Sequence, residues 1–362
     1  MTAIQWEGPI TDPVGYATVA REFLLALEKL GAELYLSWGI QGWTNRENLD
    51  REYADLFKKI NRKPINNIKS VAVHFRLPDS VKHGKNHVIM TLFETTRIPQ
   101  QWTYCCNSCF TETWVPNEFN MQAFRESGVK NLHKIQYGVN IDRYNPNVED
   151  LHLQGGFKFY SSFDFSYRKN PHGLLSAYFK EFDFSEDVVL YVKTWNIPVS
   201  QFKEYARKIQ HQYHKEHMPK VVMIPNILRD NQMAQLYKSM DCFIMPSYGE
   251  GWSMPCIQSM ACATPVIATN WGGQLEFMDT KNSYMIGVEK LIPSVVQPHL
   301  LYRDYMLWAQ PNIRHLSHLM RYVFEHQKDA RKRGLRARRD VEKFSWENAA
   351  KQMIKRVDEL TR

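Results

Sequence analysis

Met245-Pro-Ser-Tyr-Gly-Glu-Gly-Trp-Ser-Met-Pro-Cys-Ile-Gln-Ser-Met-Ala-Cys-Ala-Thr-Pro-Val-Ile-Ala-Thr269, followed by Asn270-Trp271-Gly272-Gly273, reads as strand, tight glycine-containing turn, helix and second buried strand. The runs on either side of the turn and helix, Cys242–Met245 and Pro265–Thr269, are nearly all apolar, as parallel strands covered on both faces are. Ser253 suits the N-cap of the helix between them and Pro255 its first turn. A helix N-terminus offers backbone N–H groups and a partial positive charge, so the turn is a ready anion site. Glu250 stands just ahead of it. A carboxylate there repels phosphate and is better suited to accept hydrogen bonds from sugar hydroxyls. Gln258 lies a helical turn or more inside, on the side a ribose can reach.

Outward from this segment, short β-rich runs alternate with helical patterns almost throughout, the signature of parallel α/β sheets. The N-terminus, Met1–Glu7, reads as a first strand. Further strands are expected at Ser70–Phe75, Val88–Phe93, Thr113–Val115 and Lys134–Tyr137, then at Phe157–Phe163, Val188–Lys193 and Val221–Ile224. Val19, Phe23, Leu27 and Leu30 share one face of a first helix that Gly31 stops. Asn140–Gly156, with Pro146, Asn147, Gly155 and Gly156, reads as a linker. Two Rossmann-like domains facing each other would form a cleft at the carboxyl ends of their strands. The last helix, about Trp346–Leu360, carries Ala350, Met353, Ile354 and Val357 on one face.

Bulk properties fit this division. The chain has 362 residues, and at roughly 150 residues per domain that suggests two domains. With 44% apolar residues and 23% charged, it has the material for two cores and no signature of disorder. No apolar run approaches the ~20 residues that span a bilayer, and Met1–Glu7 lacks a signal-peptide profile, pointing to the cytoplasm. The cysteines suit that compartment. Cys106-x-x-Cys109 suggests a metal, but no second CxxC or spaced histidine pair completes a tetrahedral set, so buried reduced thiols are the reading. The net charge of +8 is concentrated in Lys328–Lys343, with Arg331, Lys332, Arg333, Arg336, Arg338 and Arg339. A solvated helix face and a peripheral contact with anionic lipid both fit it. Nucleic acid fits less well, since no aromatic-interleaved basic motif accompanies the run.

Other chemistry lies outside the central segment. Arg168-Lys169 offers two fixed cations, which stabilise a leaving nucleoside diphosphate most in the transition state, when its charge grows. A solvated basic turn is the plain alternative. Glu94 follows the run Val88–Phe93, where a strand's carboxyl end would present it to orient or deprotonate an acceptor hydroxyl. An ordinary acid at a helix start fits it equally. His74 is a similar, weaker candidate. The chain contains no Asp-x-Asp, a motif that commonly holds a divalent ion beside a sugar-nucleotide diphosphate, which argues for a metal-independent leaving group.

Glu250, seven residues, Gln258, then Pro265-Val-Ile-Ala-Thr269 and Gly272-Gly273 resemble the retaining nucleotide-sugar-dependent glycosyltransferases of family four (group 1), where the second acidic position is usually Glu. Gly8-Pro9 with Gly15-Tyr16-Ala17, then Trp114-Val115-Pro116-Asn117-Glu118-Phe119, Ser127-Gly128-Val129 and Gly138-Val139-Asn140, carry the resemblance through the first half. Ser161–Pro171, Trp308-Ala309-Gln310-Pro311 and Phe344-Ser345-Trp346-Glu347 carry it to the end.

The resemblance implies a GT-B α/β fold with a C-terminal helix returning to the N-terminal domain. It implies domains at 1–148 (acceptor side), 149–343 (nucleotide sugar) and 344–362 (the returning helix). It implies that Gly15 lets backbone approach the donor phosphates and that Glu250, Gly251, Trp252, Ser253 and Met254 surround sugar and diphosphate. Lys169 and Arg168 stand opposite, although Asp164 takes the usual Arg position. Gln258 takes the ribose hydroxyls. The expected activity is retaining transfer of a hexose-type sugar from a nucleoside diphosphate sugar, with no cofactor and no metal, to a carbohydrate, lipid-linked or protein acceptor. A non-catalytic sugar-nucleotide-binding protein, for which Gln258 is the best argument, and another GT-B enzyme such as a sugar-nucleotide epimerase are the rival readings.

Overall fold

A computed structural model describes residues 2–37, 49–60, 70–213, 217–296 and 301–362; Met1 of the expected first strand lies outside them. The chain divides into two units, one of Met1–Asn140, Pro298–Met306 and Lys343–Arg362, the other of Ile141–Gln297 and Leu307–Glu342.

In the N-terminal unit the elements run β1 (Ala3–Glu7), α1 (Gly15–Lys29), β2 (Glu33–Leu36), α2 (Arg51–Lys59), β3 (Ser70–Phe75), β4 (His87–Met90), α3 (Gln100–Ser108), β5 (Glu112–Val115), α4 (Glu118–Glu126) and β6 (Leu132–Lys134). The strands form one parallel sheet in the order β2-β1-β3-β4-β5-β6. Strand β6 ends earlier than the expected Lys134–Tyr137. Ile135 N–H still bonds the Val115 carbonyl at 2.9 Å, but the chain then leaves the sheet, and Val139 N–H bonds the Phe344 carbonyl at 2.8 Å.

The second unit holds β7 (Phe157–Ser162), α5 (Pro171–Glu181), β8 (Val188–Lys193), α6 (Val199–Gln210), β9 (Lys220–Ile224), α7 (Asp230–Lys238), β10 (Cys242–Met245), α8 (Met254–Ala261), β11 (Val266–Thr269), β12 (Tyr284–Ile286), β13 (Val288–Pro293), β14 (Leu307–Pro311), α9 (Ile313–Glu325) and α10 (Gln327–Val341). Its parallel sheet has the order β12-β11-β10-β7-β8-β9. Strands β13 and β14 pair antiparallel. The sequence did not signal that hairpin, because β13 is exposed along almost its whole length and lacks an apolar face.

The final helix, α11 (Trp346–Leu360), packs on α1 and so belongs to the N-terminal unit. Ser345 caps it by accepting from Asn348 N–H at 3.1 Å. Trp346 lies edge-on to Phe23 at 5.1 Å between ring centroids, with Ala349, Ala350, Met353 and Val357 buried beside it and Ile354 only half-buried. The helix approaches so closely that a Cβ at Gly138 would sit 2.7 Å from Trp346 N.

Glu112, at the start of β5, anchors the other end of α11. It is buried and accepts from Arg356 Nε at 2.9 Å and Trp114 Nε1 at 3.0 Å, with His133 Nε2 at 3.4 Å. Burial pushes its carboxyl up, but Arg356, His133 and Trp114 outweigh that and hold it at about 2. Because the folded value is depressed, this stabilisation is present above the ordinary glutamate range and is lost as pH falls from about 4.5 toward 2. At ~1.4 kcal/mol per unit this is an upper bound of roughly 3–4 kcal/mol, lowered by solvent screening of the partly exposed Arg356 and His133. Urea unfolding at pH 6 and pH 3 is therefore expected to show a smaller acid loss for Glu112→Gln than for the native chain. Equal losses would contradict the assignment.

Two further expectations meet structure here. All six cysteines are free and buried, and burial pushes the Cys106 thiol up to about 12. Of the basic run on α10, Arg338 is spent on the carbonyls of Ile141, Tyr144 and Ala261 at 3.2, 2.8 and 2.9 Å. Arg333 bonds the Thr280 and Ser283 carbonyls and lies over the Tyr284 ring. Arg331, Lys332, Arg336 and Arg339 are exposed. Among the described residues no helix is long and apolar enough to cross a membrane.

Candidate functional site

The 3-10 turn Tyr167–Lys169 follows β7, and the loop from Pro246 to Ser253 joins β10 to α8. Three links fasten turn to loop. Tyr248 N–H donates to the Arg168 carbonyl at 2.8 Å, and Asn170 Nδ2 donates to the Pro246 carbonyl at 3.0 Å. The rings of Tyr167 and Tyr248 stack 5.1 Å apart with 1° between their planes. Asn170, in the left-handed region at φ 56°, also caps α5 by accepting from Gly173 N–H at 2.9 Å.

This framework brings together charges from distant parts of the sequence. Lys169 Nζ donates to both oxygens of Glu250, at 2.8 and 3.0 Å. Arg168 Nη1 donates to the Gly249 carbonyl at 2.7 Å and to Glu250 Oε1 at 3.3 Å. Lys169 and Glu250 are buried, 7% and 4% exposed, so neither charge is tolerable there without the other. The two cations, expected opposite Glu250, are in direct contact with it for that reason. Burial pushes the nearby Asp164 carboxyl up, yet the charges of Lys169 and Arg168 outweigh it and hold Asp164 below the carboxylate range. Asp164 thus takes part in the charge cluster from the position the resemblance gives to Arg.

The backbone around Glu250 is equally constrained. Gly273 N–H donates to its carbonyl at 2.7 Å, and a Cβ at Gly272, φ +99°, would lie 2.9 Å from that oxygen. Ser253 stands at the N-cap of α8 as expected, but with φ 73° and ψ 68°, and its hydroxyl makes no capping bond. A left-handed serine costs about 1–2 kcal/mol, and such strain concentrates at functional sites. Gly251, Trp252 and Met254 are buried, with Trp252 against Phe277 at 5.3 Å. Gln258 is buried in α8 and accepts from the Tyr237 hydroxyl at 3.4 Å.

Lys193, which closes β8, was not singled out by the sequence. Its signal was a lysine ending an all-apolar run, and burial pushes its ammonium down to about 8.

The remaining candidates lie in the N-terminal unit. Gly15 opens α1, where a Cβ would meet no atom within 4 Å. Glu94 lies just beyond β4, is half-buried, and accepts from the Tyr302 hydroxyl. Burial pushes the Tyr16 hydroxyl up to about 12, and the charge of Glu94 adds to this. His74 packs with His83 and His87, not with the Glu94 group.

Residues 169–296 match the family described as glycosyl transferases group 1. The match begins at Lys169 and contains Glu250 and Gln258. HepE from Anabaena, solved with UDP and glucose, superposes with a TM-score of 0.70 over 99% of this chain and 100% of its own, at 12% identity. The fold is GT-B, and the chain resembles the group 1 glycosyltransferases. Two more GT-B chains agree: a glycosyltransferase of Rickettsia africae, TM-score 0.70 at 14% identity over 100% and 99% of the chains, and sucrose-phosphate synthase of Thermosynechococcus elongatus, 0.66 at 15% over 99% of each. In sequence, a D-inositol 3-phosphate glycosyltransferase of Paenarthrobacter aurescens is 40% identical over 42 residues, which are 12% of this chain and 10% of that protein. The chain thus spans about a tenth of the length of the curated relatives it matches.

Proposed function

We propose that this GT-B chain transfers a hexose-type sugar from a nucleoside diphosphate donor to an acceptor hydroxyl, with retention at the anomeric carbon and without a metal ion. The observation that carries the reading is the buried Lys169–Glu250 pair ahead of α8, within the group 1 segment, with the half-buried Arg168 beside it. Its carboxylate has lone pairs beyond those the cations use and accepts from sugar hydroxyls. Its cations and the α8 N-terminus supply fixed positive charge for the departing diphosphate, a task divalent ions perform in other enzymes. Gly251, Trp252, Ser253 and Met254 shape the turn that holds the donor, and Gln258 takes its ribose. Gly15 is assigned to the diphosphate and Glu94 to the acceptor hydroxyl, whose proton it accepts as the new glycosidic bond forms. That HepE was solved with UDP and glucose supports the donor class.

The test is release of nucleoside diphosphate from UDP-, GDP- and ADP-sugars, with acceptor and without, in the presence and absence of added Mg2+ or Mn2+. We expect turnover with one of these donors at a rate indifferent to either ion. Donor binding in a thermal-shift assay with no release under any condition would make the chain a binding module instead.

Gln258→Glu tests the ribose assignment. A carboxylate there makes charge-assisted bonds, stronger than those of an amide. The affinity for the nucleoside diphosphate is expected to rise about tenfold, equivalent to about 1.4 kcal/mol. Unchanged calorimetric affinity would remove Gln258 from the donor site.

A further inference from the structure

We propose that His74, His83 and His87 form a binding site for one transition-metal dication of the zinc class in the N-terminal unit. His74 is the penultimate residue of β3 and His87 the first of β4. Ala72 pairs with His87 across the parallel strands, so His74, two residues further along β3, shares their face. The connection between the strands then returns His83, whose backbone N–H is fixed on the Cys109 carbonyl at 3.1 Å. As a result one ring nitrogen from each histidine lies within 4.8 Å of the other two.

Four observations distinguish this cluster from a chance stack of rings. His74 Nε2 and His87 Nδ1 are 2.8 Å apart, whereas two nitrogens on a tetrahedral zinc, each about 2.0–2.1 Å from the ion, stand about 3.3 Å apart. The contact is a hydrogen bond, so a bound ion replaces the proton the two nitrogens share and widens their separation by about half an ångström. His74 Nδ1 lies 3.0 Å from Glu7 Oε2, which fixes the proton on that nitrogen and turns the Nε2 lone pair toward the cluster. A carboxylate on the far nitrogen is the usual partner of a metal-ligating imidazole. His83 Nε2 is buried with no hydrogen-bond partner among the described residues. The surrounding charge also suits a cation, because Arg76 is held by Glu7 at 3.0 Å and by Asp79, so two carboxylates outweigh one guanidinium. Three imidazoles leave a fourth position for water, with His83 and His87 only half-buried on the approach.

The site uses none of the residues assigned to the sugar donor, so the two proposals stand or fall separately. The protein, prepared without a polyhistidine tag and stripped with chelator, should be titrated calorimetrically with Zn2+ and spectroscopically with Co2+. One equivalent of Zn2+ is expected to bind at micromolar Kd or tighter, with a rise of several degrees in Tm at saturating ion. His83→Gln and His87→Gln, at half-buried positions, are expected to weaken Zn2+ binding at least a hundredfold. His83→Cys should restore it and add a Co2+–thiolate charge-transfer band. Less than half an equivalent bound, undiminished affinity in His83→Gln, or no such band in His83→Cys would overturn the proposal.

Discussion

Lys169→Ala is expected to lower turnover by roughly a hundred- to a thousandfold while the donor KM changes by less than about tenfold. The lysine ammonium is fixed by both oxygens of Glu250, so it is already in place when the bond to the diphosphate breaks. A cation held this way is worth most when negative charge is greatest, in the transition state and not in the bound donor. The substitution also strands a buried carboxylate, a loss of about 3–5 kcal/mol in comparable pairs. Lys169→Met combined with Glu250→Gln removes both charges, and is expected to recover folding stability but not turnover. If donor affinity falls in proportion and kcat is untouched, Lys169 serves binding alone.

Glu250→Gln should produce the complementary result. Sugar transfer is expected to fall about a hundredfold, while the affinity for free nucleoside diphosphate stays within a few-fold or rises. The amide keeps the shape of the side chain but returns Lys169 and Arg168 from the carboxylate to an incoming anion. Calorimetry with nucleoside diphosphate, set beside transfer assays, separates the two effects. Abolished nucleotide binding would mean that Glu250 holds the nucleotide, and the donor would have to lie the other way round on the loop.

Strands that are continuous apolar runs between turn residues were legible to the residue: Ser70–Phe75, Val188–Lys193 and Cys242–Met245. Such runs announce themselves because burial on both faces leaves few polar positions, here Ser70, His74 and Lys193. Glu33–Leu36 and Val288–Pro293 gave no such signal, being partly or almost wholly exposed. In the candidate site, the residue types were readable but their contacts were not. Lys169 and Glu250 are 81 positions apart, and they are brought together by long-range links such as the stacking of Tyr167 on Tyr248, the Tyr248 N–H bond to the Arg168 carbonyl and the bonds of Asn170. The left-handed Ser253 was hidden for a different reason, since serine at a helix start ordinarily signals a side-chain cap. Contrary to the expectation that no spaced histidine pair was present, His83 and His87 form one, although the pair gains meaning only when β3 places His74 beside it.

Helix α11 has a consequence for how the chain comes into being. The face of α1 that it covers, Phe23 included, is made long before Trp346 and its neighbours on α11. Thr2 Oγ1 donates to Asp358 at 2.7 Å, so the sheet's first strand is fastened to almost the final turn. The second unit, contiguous except for the short excursion at Pro298–Met306, can close on itself while the first still waits for its lid. On the ribosome the usual order of N-terminal before C-terminal is therefore inverted for the completed cores. A chain halted before residue 346 would present an uncovered α1 to chaperones and proteases, however well its second sheet had formed.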